Sequence, residues 1–163
     1  MNYARGTQVS QDRSRAEIER LLMRYGADEF AYMTRRDEAL IGFVYKGVRV
    51  QMSVPMPDRD DEQFRLTPGR GHERSDHAAF LEWEKEARRR WRSLCLVIKA
   101  LLIGVEDGVL TFEQAFLPYI VWGNGLTTSD MLLPHVQHAL ESGTMPASLK
   151  QLPVLAAAVK EKK

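Results

Sequence analysis

The chain predicts a single α+β domain: an N-terminal helix, a small antiparallel sheet of about three strands, a long central helix and a group of short C-terminal helices. Three observations carry that expectation. From Phe80 to Val105 the apolar residues Phe80, Trp83, Ala87, Trp91, Leu94, Ile98, Leu101 and Val105 recur in steps of three and four, which keeps one helical face buried. Between Ala39 and Val54 apolar positions instead alternate with period two on both sides of Lys46-Gly47. Two S/T-x-x-E/Q boxes, Ser14–Glu17 and Thr111–Gln114, open helical patterns before and after these stretches.

Residues 1–13 are polar and aperiodic and predict a mobile N-terminus ahead of a domain over 14–152. The first helix is predicted to start at Ser14, to bury Ile18, Leu21, Leu22 and Tyr25, and to stop at Gly26. Glu29–Met33 reads as a short strand, followed by a polar Thr34–Glu38 connection. In the hairpin that follows, Tyr45 facing Val48 puts Phe43 opposite Val50 and Ile41 opposite Met52, so turn and register agree. The opposite face carries Leu40, Gly42 and Val44 beside Arg49, Gln51 and Ser53, and is only partly polar.

Pro55-Met56-Pro57 ends the sheet. The charged stretch 58–76 reads either as a solvated, disordered connection or as an arm that orders on a partner through Arg65, Arg70 and Arg74. The long helix spans Ser75–Gly108, with apolar residues on most sides around Leu94–Ile103. Thr111–Gln114 opens a short helix reaching about Val121, bent at Pro118. After a Trp122–Gly125 turn, Thr127 or Thr128 caps a helix to Glu141, broken or kinked at Pro134 and stopped by Gly143. Met145-Pro146 leads to a small Leu149–Leu152 segment, and 153–163 reads as a frayed tail.

Composition narrows the function. Hydrophobic residues make up 44% and charged residues 28%, and 23 basic against 22 acidic residues leave a net charge of +1, so any nucleic acid must be held by a local patch. No run of about eighteen apolar residues exists to span a membrane, and the N-terminus lacks the apolar stretch of a signal peptide. The single cysteine, Cys95, lies in the apolar helix and reads as a buried, inert thiol in a reducing cytoplasm. His135, His138 and Glu141 share a helix face but lack a further ligand for zinc, and Asp58, Asp60 and Asp61 lack the glycine and terminal glutamate of a calcium loop. No nucleophile–base pair, phosphate loop, cofactor motif or metal cluster is legible, so the expectation is a non-enzymatic protein without cofactors.

One pattern remains. At 100° per residue Lys85, Arg88, Arg92 and Lys99 fall within a sector of about 60°, along roughly 20 Å of helix. Cations so spaced suit a phosphate backbone, Arg49 adds charge from the sheet, and Trp83, Trp91 and Tyr45 could stack bases. The plain alternative is that these arginines are solvated or paired with Glu82, Glu84 and Glu86, and that the tryptophans are core.

Ser14–Glu19, Tyr25-Gly26-Ala27, Arg89–Gly108 and Thr111–Pro118 together resemble a set of small uncharacterised tailed-phage and prophage proteins, over most of 14–147. That resemblance implies a phage origin, a place in the cytoplasm of the host cell, and no defined activity. The order helix, three strands, long helix, with Glu84-Lys85-Glu86-Ala87-Arg88 leading into an apolar helix, is distantly similar to the Rad52-like single-strand annealing proteins. That similarity implies a groove for single-stranded DNA lined by Arg49, Lys85, Arg88 and Arg92. The expectation is therefore a phage DNA-metabolism protein binding single-stranded DNA, as a homo-oligomer. The alternative is a phage protein-binding factor that inhibits a host defence complex or adapts a replication or virion component, using the hairpin edge or the outer sheet face.

Overall fold

The computed structural model describes Ala4 and residues 7–69 and 71–144. Arg70 and the predicted segments from Met145 onward, the Leu149–Leu152 piece and the 153–163 tail among them, lie outside the described residues. The elements run α1 (Gln11–Arg24), β1 (Glu29–Thr34), β2 (Glu38–Tyr45), β3 (Val48–Pro55), α2 (Glu62–Arg65), α3 (Asp76–Glu106), α4 (Phe112–Phe116), a 3-10 turn (Leu117–Tyr119) and α5 (Thr128–Ser142). This is the α+β layout the sequence predicts.

The three strands form an antiparallel meander in the order β1-β2-β3. Tyr45 pairs with Val48, Phe43 with Val50 and Ile41 with Met52, as the alternation requires. Lys46 and Gly47 both adopt positive φ, 48° and 79°, the conformation of the two-residue hairpin turn whose twist matches the strands. β1 takes in Thr34 and β2 takes in Glu38, so the predicted polar connection shrinks to Arg35–Asp37.

α3 is one continuous helix of 31 residues. Ser75 caps it by accepting from the Ala78 N–H, and Asp107 closes it ahead of Gly108 at φ 69°. Its buried face (Ala87, Trp91, Leu94, Ile98, Leu102) meets Ile18 and Leu22 of α1 and the inner face of the sheet, Ile41, Phe43, Val50 and Met52. Phe112 and Phe116 of α4 complete the core, with Phe43 edge-on to Phe116 at 5.5 Å.

The structure corrects four readings. α1 starts at Gln11, inside the stretch expected to be mobile, because Ser10 and not Ser14 supplies the cap: Ser10 Oγ accepts from the Arg13 N–H at 3.2 Å. Ser14 lies in the helix, fully buried. The described residues of the 58–76 stretch are folded: Phe64 is buried, Leu66 bridges Glu73, and the Arg74 guanidinium donates to the carbonyls of Gln63, Phe64 and Leu66. Arg74 is thus a structural clamp, and Arg65 stands 3.9 Å from Asp76. The helix opened by the Thr111 box ends at Phe116 and tightens into the 3-10 turn at Pro118, whose ring cannot continue it. Of the two expectations at Pro134, the break is overturned: α5 runs through to Gly143, which ends it in the left-handed region, with Thr127 and Asp130 forming a capping box.

Candidate functional site

Of the predicted basic stripe, Arg92 lies at the seam between α1 and α3. The Tyr25 hydroxyl lies 2.7 Å from both the Leu102 carbonyl and the Glu106 carboxylate, and Arg92 Nη1 donates to Glu17 Oε2 at 2.6 Å. These two ties set α1 alongside α3. Arg92 and Glu17 are each about three-quarters buried, so this ion pair fastens two helices and does not offer a free cation. Arg88 is half-buried, and its Nε, with Trp91 Nε1 and Ser14 Oγ, is buried without a hydrogen-bond partner among the described residues. Lys85 is exposed beside Glu82 at 3.7 Å, and Lys99 is exposed. Arg49 lies on the outer face of the sheet, away from α3, because β3 turns Val50 and Met52 inward. The structure therefore does not bring Arg49, Lys85, Arg88, Arg92 and Lys99 onto one surface. Next to them Glu86 accepts from Arg89 Nε at 2.6 Å and from Arg90 Nε at 2.9 Å. The hydrogen bond from Arg89, seconded by Arg90, holds the Glu86 carboxyl below the usual carboxylate range against the opposing effect of burial. Of the predicted stacking aromatics, Trp91 is fully buried and Tyr45 packs on Phe112 at 4.5 Å.

Two concave surfaces lie elsewhere. One, of about 210 Å³, is lined by Arg59, Asp60, Arg65, Asp76, Phe80 and Trp83. The Arg59 guanidinium rests 4.8 Å from the Phe80 ring centre and 5.2 Å from that of Trp83, while Trp83 Nε1 donates to the Pro57 carbonyl at 2.8 Å. The folding of 58–76 builds this cleft.

The other, of about 490 Å³, runs along the outer sheet face between the hairpin and the Trp122 turn. Val44, Val48, Ile120 and Val121 give it an apolar floor, with Glu29, Arg49 and Trp122 around it. Its far wall exists because Ile120 bridges Val50, the Val121 N–H donates to the Arg49 carbonyl at 2.8 Å, and Val121 bridges Thr127. Trp122 Nε1 donates to Thr128 Oγ1 at 2.9 Å, which fixes the indole while leaving half of it exposed. Leu126 and, on α5, Leu132, Leu133, Val136 and Leu140 are also exposed. The sequence reading gave Ile120-Val121 to a helix and so missed this wall; two β-branched residues after Pro118 were the available signal.

Cys95 is buried, and burial, with the charge of Glu17 adding to it, pushes its thiol up to about 11, which leaves it a poor nucleophile. Among the described residues no group of His, Cys, Asp and Glu could hold a metal ion, and no helix is long and apolar enough to cross a membrane. No family model, no curated protein and no solved structure matches the chain.

Proposed function

We propose that the chain is a non-catalytic binding protein whose ligand is another protein, held in the groove between the hairpin and the Trp122 turn. The observation that carries this reading is the pairing of a half-exposed Trp122 with an exposed Arg49 over an apolar floor. Tryptophan and arginine around a desolvated apolar patch are the residues on which protein interfaces concentrate their energy. The groove suits a segment bearing an apolar side chain for the Val44–Val121 floor and a carboxylate for Arg49.

The test is capture from nuclease-treated lysate by the intact chain, with a Trp122→Ala, Arg49→Ala double variant alongside. The reading expects a discrete partner that survives nuclease and is lost with the double variant while the fold, followed by circular dichroism, is kept. Equal capture by both forms would overturn it.

Single-stranded DNA is the second reading, and the Arg59–Phe80–Trp83 cleft is what favours it, since cations and aromatic rings side by side suit a nucleotide. It comes second because Asp60 and Asp76 line the same cleft and Glu17 already neutralises Arg92. Its signature is oligonucleotide binding that weakens steeply with salt and is lost in Arg59→Ala.

A further inference from the structure

The geometry points to a two-fold dimer of this chain, formed by antiparallel pairing of β1 with β1 of a second copy into one continuous six-stranded sheet. The starting observation is an unpaired edge. The ladder fixes which groups face it: the Arg35 N–H donates to the Glu38 carbonyl, and the register Glu29↔Val44 through Thr34↔Ala39 is unbroken. Glu29, Ala31 and Met33 therefore turn their main-chain groups toward β2, while Phe30, Tyr32 and Thr34 turn theirs outward. Among the described residues none hydrogen-bonds to those outward groups. The devices that normally protect an edge are missing: no proline, bulge or charged side chain interrupts Phe30–Met33, and Tyr32 and Met33 are 53% and 51% exposed.

The sequence Glu29-Phe30-Ala31-Tyr32-Met33-Thr34-Arg35 is complementary to its own reverse. An antiparallel pair centred on Tyr32 sets Tyr32 against Tyr32, Phe30 against Thr34, Ala31 against Met33 and Glu29 against Arg35. Parity agrees independently, because this centring makes the outward-facing residues Phe30, Tyr32 and Thr34 the hydrogen-bonded pairs. Glu29 and Arg35 then meet on the outer face as a cross-strand ion pair, twice by symmetry. Arg35 is available for it, being 61% exposed with only a 3.9 Å approach to Glu38. Asp28 and Arg36 come next outward, but Arg36 already holds Asp60 at 2.7 Å and adds nothing to the argument. A second copy fits this edge because the acidic end, apolar middle and basic end are all supplied by the same strand.

Two experiments on the full chain test the proposal. Sedimentation equilibrium should show a monomer–dimer equilibrium that Glu29→Arg and Arg35→Glu each weaken by roughly tenfold or more, through two like-charge pairs. The Glu29→Arg, Arg35→Glu double variant should restore it. Separately, Tyr32→Cys, oxidised by oxidised glutathione, should give a disulfide-linked dimer, since such a pair sets Cα atoms about 5.5 Å apart. Thr34→Cys should not, because its symmetry mate lies about 13 Å away at the strand rise of 3.3 Å per residue. Cys95 is buried and stays silent. A monomer at every concentration, no rescue by the double swap, or cross-linking at 34 equal to that at 32 would overturn the proposal.

Discussion

Breaking the Arg92–Glu17 pair distinguishes a helix seam from a DNA surface. The pair is short, 2.6 Å, and its side chains are 22% and 27% exposed. Exposed ion pairs contribute about 0.2–1 kcal/mol, whereas removing one partner of a fully buried pair costs about 3–5 kcal/mol. A pair three-quarters buried belongs between these, so Arg92→Ala is expected to cost about 2 kcal/mol, including the loss of the Arg92 Nη1 contact to Cys95 Sγ at 3.8 Å. Glu17→Ala should cost less, about 1 kcal/mol, since its arginine partner can swing to water. The double variant should fall short of the sum by about 1 kcal/mol, the coupling between the two sites. Urea denaturation followed by tryptophan fluorescence is the natural assay, because Trp91 is fully buried beside this seam. For a domain of this size a 2 kcal/mol loss lowers Tm by roughly 4–8 °C. A coupling below about 0.3 kcal/mol would refute the seam and return Arg92 to the solvent.

Three further outcomes follow from the same structure. Gly47→Ala should destabilise the chain by about 1 kcal/mol, since φ is 79° there and the substitution has room but not the conformation; urea midpoints against a Ser53→Ala control measure it. Lowering the pH should weaken the fold through Glu86 and Asp130. Arginine hydrogen bonds at Glu86, and those from Thr127 at Asp130, hold both carboxyls below their usual range in the folded state. Their stabilisation is therefore present above about pH 4 and lost as pH falls through the folded values, and Glu86→Gln should flatten the acid limb of a Tm–pH profile. Native Cys95 should resist an aromatic disulfide reagent at pH 8 and react at once in urea, whereas rapid native reaction would mean the α1–α3 seam opens readily.

Local signals were legible in the sequence and long-range ones were not. The hairpin register followed from period two meeting a Lys-Gly turn, and α3 from its three-four spacing, because each is written in consecutive residues. The first cap was missed because Ser14-x-x-Glu17 fits the capping pattern as well as Ser10 does, and only packing against α3 shows Ser14 to be interior. Because α3 is one continuous helix, Lys85, Arg88, Arg92 and Lys99 share a sector of it. The partner of Arg92, Glu17, lies 75 residues away, and no spacing within the helix reveals that α1 meets α3 there. The groove beside Trp122 escaped for the same reason: its wall is a bridge from Val50 to Ile120.

The clamp at Arg74 has a consequence for how this chain meets proteases and acid. The 58–76 segment is rich in aspartate and arginine and looks like an open invitation to cleavage, yet one guanidinium ties three of its carbonyls together. An arginine keeps its charge across the whole accessible pH range. The segment should therefore stay tethered in acid, and trypsin should spare Arg65 until Arg74 itself is replaced.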